Sequence, residues 1–186
     1  MGLQTCRRWL SLSLLCIFLF SWAIAQKGDA VAVKEFQNRI DNYLSARKKQ
    51  DIAKKPTDSP GKLAQEKQQT VEKTQAARPE AQQGDIFTPL VATYFKKQIK
   101  GTLRGPNGDK IRASLRHAEP LPNVQLKVNA KYPKNLPLQS TPPTLLMNLP
   151  PLPKELQYRI VGSALVLYDM SSGLVVDFIR GAVPPA

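Results

Sequence analysis

The chain has 186 residues, with 27 Lys and Arg against 14 Asp and Glu, one histidine, two cysteines and a formal net charge of +13. A lone histidine, His117, supports no Ser/His/Asp arrangement and no His-x-His or His-Cys cluster for a transition metal. No glycine-rich loop between a strand and a helix suggests a phosphate site, so no cofactor, metal site or catalytic residue is expected.

Residues 1–25 read as a secretory signal peptide. Arg7 and Arg8 form the positive start, Leu10 to Trp22 the apolar core, and Ala23-Ile24-Ala25 a small-x-small cleavage site after Ala25. The apolar run is short for a bilayer span. Cys16 follows Leu15 where a lipidated cysteine would follow a small residue, which argues against a lipoprotein. Cleavage there removes Cys6 and Cys16, and with them disulfides, thiol catalysis and thiolate metal sites. Without Arg7 and Arg8, 25 basic residues remain against 14 acidic ones, a net charge near +11. The expected location is periplasmic or secreted. Outside the cytoplasm, such a charge suits anionic lipid head groups, acidic envelope polymers or acidic proteins rather than nucleic acid. A peripheral membrane contact belongs to the same expectation.

Gln26 to Gln50 has one apolar stripe, Val33, Phe36, Ile40, Tyr43 and Leu44, at three- and four-residue steps, and predicts a helix. Pro56 and Ser59-Pro60-Gly61 break it. Lys62 to Arg78, with chiefly Leu63 and Val71 to bury, reads as a second helix or a lightly ordered linker. Residues 26–83 are thus a helical arm or linker, partly disordered in the second reading.

In Gly84-Asp-Ile-Phe-Thr-Pro89, Thr88 as N-cap and Pro89 at the first helical position mark a helix start. Leu90, Val91, Tyr94, Phe95 and Ile99 form its apolar stripe and Gly101 is the expected end. From Lys96 to Arg116 the chain is strongly basic: Lys96, Lys97, Lys100, Arg104, Lys110, Arg112 and Arg116 face only Asp109, a local net charge of +6. These seven are the candidate binding residues for an anionic partner. The segment lacks the interleaved aromatics that stack nucleic-acid bases. Gly105-Pro-Asn-Gly108 within it is a turn.

Val124, Leu126, Val128 and Ala130 alternate with polar residues and predict a half-buried strand over 123–131. Over 132–153, seven prolines interleaved with leucines exclude a regular helix or central strand. That composition describes an extended strap over apolar surface, or else a polyproline ligand for a groove on another protein. The last stretch, Tyr158 to Arg180, predicts a three-stranded antiparallel meander. Gly162-Ser163 is its two-residue loop and Asp169–Gly173 a five-residue loop. These loops set Val161 opposite Ala164, Arg159 opposite Val166, Tyr168 opposite Leu174 and Val166 opposite Val176. One face then carries Val161, Val166, Tyr168, Leu174, Val176 and Phe178. The other carries Tyr158, Ile160, Leu165, Leu167, Val175 and Ile179, with Asp177 among them. Both faces are apolar, so both need covering, by helices on one side and the strap on the other.

GDIFTP at 84–89, KVNAKYP, TPPTLLMNLPPLP and YRIVGSALVLYDMSSGLVVDFI together resemble an uncharacterised family of small exported bacterial proteins. The last motif alone is loosely similar to the closing hairpin of periplasmic proteins of nickel and cobalt homeostasis. The first resemblance implies export and no known activity. The second implies metal handling, for which this chain lacks the histidines.

The expected architecture is α+β: a signal peptide, the arm, and a compact domain over 84–186 with the proline-rich strap at 132–153 and the C-terminal meander. The function that leads is a non-catalytic exported cell-envelope protein binding an anionic surface or acidic partner through the basic segment. The alternative is a periplasmic accessory or assembly factor that recognises a protein through the strap or a sheet edge. An envelope hydrolase would need paired carboxylates, and no spacing among Glu119, Glu155, Asp169 and Asp177 singles out a pair.

Overall fold

The computed structural model describes residues 6–48, 59–116, 124–133 and 135–184, with side chains from residue 27 onward except those of residues 63 and 116. The signal-peptide reading therefore concerns side chains outside the described residues, as do the readings of His117 and Glu119. Among the described residues, no helix is long and apolar enough to cross a membrane.

The fold is α+β. Helix α1 runs over Cys6–Lys48, α2 over Pro60–Ala76, α3 over Pro89–Arg104, α4 over Gly108–Arg116 and the single turn α5 over Pro143–Leu146. An antiparallel sheet has the order β1 (Gln139–Ser140), β2 (Leu156–Val161), β3 (Ala164–Asp169), β4 (Leu174–Ile179). Its last three strands are the expected meander, joined to a two-residue edge strand that the prolines leave room for.

One face of the sheet carries the main core. Leu156, Tyr158, Ile160, Leu165, Leu167, Val176 and Ile179 pack against Phe36, Ile40, Tyr43 and Leu44 of α1 and Val91, Phe95, Ile99 and Leu103 of α3. Phe36 lies 5.0 Å from Phe95 and 5.8 Å from Phe87 between ring centres, and Phe95 lies 5.7 Å from Tyr158. These aromatic pairs tie α1, the GDIF segment, α3 and β2 into one unit. The stripe read over 26–50 is thus built into the centre of the core. Helix α2 buries Val71 with Thr70 and Thr74. The carbonyls of Gln75 in its last turn and of Arg78 just beyond it accept from the Asn129 amide at 3.1 and 2.8 Å.

The opposite face packs Val161, Ala164, Val166, Val175 and Phe178 on Leu126, Val128 and Tyr132, flanked by Leu136 and Leu138. Helices cover one face as expected, but the other is shared by Leu126 and Val128 of the preceding segment with Tyr132, Leu136 and Leu138 of the strap, and the strap also contributes Leu145 and Leu149 to the helical side. It passes from one face to the other around the β2 edge, and β1 marks the crossing.

Four expectations need correction. Of the segment expected as a strand over 123–131, the described residues 124–131 form none. Asn129 and Ala130 bond Val175, Tyr132 bonds Gly173, and Lys131 makes a single bridge to Leu174. Asn129 takes a positive φ of 60° there, which ends any ladder while aiming its amide at α2. The strap includes a helical turn, α5, because Pro142 and Pro143 sit at its start, where a missing N–H costs nothing. Helix α3 runs past Gly101 to Arg104. Burying Leu103 gains about 1.5–3 kcal/mol, against roughly 1 kcal/mol for an interior glycine.

The fourth correction is the register of β3 and β4. Val166 opposes Phe178, Tyr168 opposes Val175 and Asp169 opposes Leu174, with a bulge beside Leu167 and Tyr168. Asp169 stays in its strand, so the loop has four residues. Its carboxylate accepts from the amides of Ser171 and Ser172 at 2.8 and 3.2 Å. Val176 is the extra residue, and its carbonyl accepts from Arg78 at 3.4 Å instead of from the ladder. The bulge exchanges the faces expected for Val175 and Val176.

Candidate functional site

The site begins with a buried carboxylate that orients the helix bearing the basic residues. Asp177 is fully buried, yet its oxygens accept from the backbone N–H groups of Gly84 (3.1 and 3.2 Å), Ile86 (2.9 Å), Phe87 (2.8 Å) and Phe178 (2.8 Å). Peptide dipoles replace the water that a buried charge needs. The GDIFTP segment is therefore wrapped around one side chain of β4. Gly84, at φ 96°, makes the turn that aims its N–H inward. Thr88 follows at once as the N-cap, accepting from Val91 N–H at 3.4 Å, and α3 leaves the sheet in a fixed direction.

On α3 the buried row Val91, Phe95, Ile99, Leu103 has a partner row one residue on: Lys96, Lys100, Arg104. Four-residue steps place these three cations in one line along the helix, about 12 Å from first to last Cα, rotated about 100° from the buried row. All three are exposed. Lys97 lies next to this line and bonds Asp29 of α1 at 2.8 Å, which fixes α1 to α3. Among the described residues, Lys96, Lys100, Arg104 and Lys110 pair with no carboxylate.

The turn at 105–108 is present, with Gly108 N–H bonded to Gly105 O at 2.9 Å. A Cβ at Gly108 would lie 1.9 Å from the Leu103 carbonyl oxygen, so only glycine lets α4 start this close to the end of α3. Arg112 spends its guanidinium on structure: it donates to the Leu103 carbonyl and pairs with Asp109 at 2.6 Å. Lys110 is exposed on α4, and the side chain of Arg116 lies outside the described residues. Of the seven expected binding residues, the fold thus aligns Lys96, Lys100 and Arg104. It adds Lys110 as a further free cation and commits Lys97 and Arg112 to internal contacts.

One cation was missed by sequence reasoning. Arg180, just past β4, lies 4.8 Å from the centre of the Phe178 ring and is exposed. It and Lys96 line one groove of about 460 Å3 with Gln83, Phe87, Ala92 and Phe178. The groove exists because Asp177 draws residues 84–87 against β4, a pairing across some 90 positions that no local pattern reveals. A charged residue in a strand otherwise apolar on both faces was the available signal.

The other buried carboxylate is also fully engaged. Asp169 accepts from the Tyr43 hydroxyl at 2.7 Å and from the Ser171 hydroxyl at 2.6 Å, with Arg47 at 3.4 Å. Burial, reinforced by the negative charge of Asp169, holds the Tyr43 hydroxyl far above the ordinary phenol range. Among the described residues no three His, Cys, Asp or Glu side chains cluster to hold a metal ion. Comparison with family models, with curated proteins and with solved structures gives no match to this chain.

Proposed function

We propose that this is a non-catalytic, exported cell-envelope protein that binds an anionic surface through the exposed face of α3. The observation that carries the reading is the row Lys96, Lys100, Arg104, cationic and unpaired among the described residues, on a helix anchored from the opposite side. A rigid line of cations meets a surface of negative charges without first ordering itself, which lowers the entropic cost of binding. Arg180 and Lys110 extend the positive field beyond the row. The signal-peptide reading of residues 1–25 supports the export half of the proposal, and the two buried carboxylates, each saturated by internal donors, support a binding role over hydrolysis.

The test uses the full mature chain and the variant in which Lys96, Lys97, Lys100 and Arg104 are all Gln. Each free cation near an anionic surface contributes about 1 kcal/mol, so loss of the three unpaired ones weakens binding by about a hundredfold. Sedimentation with phosphatidylglycerol vesicles at low salt should show that loss, and phosphatidylcholine vesicles should bind neither protein. The fold should survive, because all four are exposed and only the surface pair with Asp29 is lost, a contact worth less than about 1 kcal/mol. Equal sedimentation of parent and variant would defeat the binding proposal. N-terminal sequencing of the exported protein that found Met1 retained would defeat cleavage after Ala25.

A further inference from the structure

The two edges of the sheet are finished differently. The outer edge of β4 is closed along its length: Asn129 and Ala130 bond Val175, Arg78 bonds the Val176 carbonyl, Gln83 bonds the Phe178 carbonyl and Asp177 holds Gly84. The outer edge of β2 is closed only at Arg159 and Ile160, where β1 pairs with it. From Leu156 to Tyr158 no described strand lies beside β2. Alternate residues of an antiparallel strand turn both N–H and C=O to the same side. The Met170 N–H bonds the Glu155 carbonyl, so Glu155, Gln157 and Arg159 turn to β3 while Leu156 and Tyr158 turn outward. The Leu156 N–H is taken by the Pro153 carbonyl, which leaves the Leu156 carbonyl and the Tyr158 N–H to pair with a strand residue opposite Gln157.

A groove of about 400 Å3 runs along this open edge. Its far wall is the strap, with Leu146, Pro150, Pro151 and Leu152, and its near wall is Thr141 with β2 up to Arg159. The Pro150 carbonyl accepts from the Tyr158 hydroxyl at 2.9 Å, so strap and strand hold a fixed separation. Two buried polar atoms in the near wall are unsatisfied among the described residues: the hydroxyl of Thr141, a residue only 5% exposed, and Nε of Arg159. Buried polar atoms without a partner are uncommon in a finished surface. The Arg159 guanidinium bonds Ser140 and Gln157 at 2.6 Å each and has no carboxylate partner among the described residues.

We infer that this groove binds an extended, acidic segment of another protein, which adds to the sheet as a strand beside Leu156–Tyr158. Main-chain bonds to the open edge supply the pairing. Alternate apolar side chains rest on Leu146, Pro151 and Leu152, and a carboxylate of the segment meets Arg159. The site lies on the β2 side of the sheet and uses none of the cations of α3, so it stands independently of anionic-surface binding.

The probe is a synthetic eight-residue peptide of alternating Val and Glu, titrated into the isotopically labelled full mature chain and followed by amide chemical shifts. The expected result is saturable shifts confined to residues 140–141, 146, 152 and 156–159. An analogue with alternate amides N-methylated, which keeps every side chain but cannot pair as a strand, should bind at least tenfold more weakly. Leu146→Asp, at a position 41% exposed and therefore tolerant of charge, should weaken the acidic peptide at least tenfold while the rest of the spectrum stays unchanged. No saturable binding, or equal binding of the N-methylated analogue, would overturn the inference. Shifts centred on Lys96, Lys100 and Arg104 would overturn it too, and would assign acidic peptides to the cationic face instead. Sedimentation equilibrium showing a dimer that the peptide dissociates would give the edge to a second copy of the chain, again overturning it.

Discussion

Asp177 offers the most stringent test of how this fold is assembled. Its carboxylate has zero exposure and four backbone donors at 2.8–3.2 Å, with no cation paired to it among the described residues. Asp177→Asn keeps size and shape but leaves one oxygen. If that oxygen takes the place of Oδ2, the bonds from Ile86 and Phe87 survive and the amide group faces the Phe178 N–H, donor against donor. One charge-assisted bond lost, about 1.5–3 kcal/mol, and one buried donor orphaned, about 1–3 kcal/mol, give a loss of about 2.5–6 kcal/mol. Asp177→Leu orphans all four N–H groups, and that sum approaches the 5–15 kcal/mol that holds a typical domain together. Urea unfolding should therefore show the Asn variant weakened by about 2.5–6 kcal/mol with an unchanged denaturant slope, and the Leu variant should not accumulate folded. Hydrogen exchange at Gly84 and Phe178, which bond the replaced Oδ1, should quicken more than at Leu165, which lies deep in the meander. An Asn variant within 0.5 kcal/mol of the parent would refute the idea that this carboxylate organises residues 84–89.

Two further outcomes follow from burial. Val176 is 1% exposed within the main core, so Val176→Asp places an unpaired charge there and should cost several kcal/mol; an unchanged thermal melt would mean that this face is open. Burial holds the hydroxyls of Tyr43 and Tyr158 far above the ordinary value of 10.0. The unfolded chain therefore releases protons near pH 10 that the folded chain keeps. Stability is fully present below that value and falls as pH rises above it. Melts between pH 9 and 12 should show the fall, and Tyr158→Phe should flatten part of it; a parent protein equally stable across that range would contradict the assignment.

What was legible in the sequence is what local chemistry decides. Thr88-Pro89 specifies a helix start whatever surrounds it, Gly162-Ser163 closes a two-residue hairpin, and the register of β2 on β3 follows from that loop alone. The register of β3 on β4 does not, because it depends on how much of Asp169 the turn absorbs and on a bulge whose free carbonyl is satisfied by Arg78, 98 positions away. Alternation in 124–130 suggests a strand, but Asn129 is drawn instead to the end of α2. The cations of α3 and α4 were readable as a list. Which of them remain free was not, since Lys97 is taken by Asp29 of another helix and Arg112 by a carbonyl of the preceding one. Arg180 joins Lys96 only through the closure of residues 84–87 onto β4.

That closure links the structural and functional readings. Without the Asp177 bonds, the segment before Thr88 would lose its path, and α3 would keep its cap and its amphipathic stripe but not its orientation. The cations of α3 would still carry their charge, but Lys96 would no longer share a groove with Arg180. A moderately destabilised Asp177→Asn protein, held under conditions where it remains folded, separates these contributions. Its binding to anionic vesicles through Lys100 and Arg104 should persist, because a row along one helix needs only that helix. Contacts made jointly by Lys96 and Arg180 need two elements held in register, and those are the ones a loosened 84–87 segment would weaken.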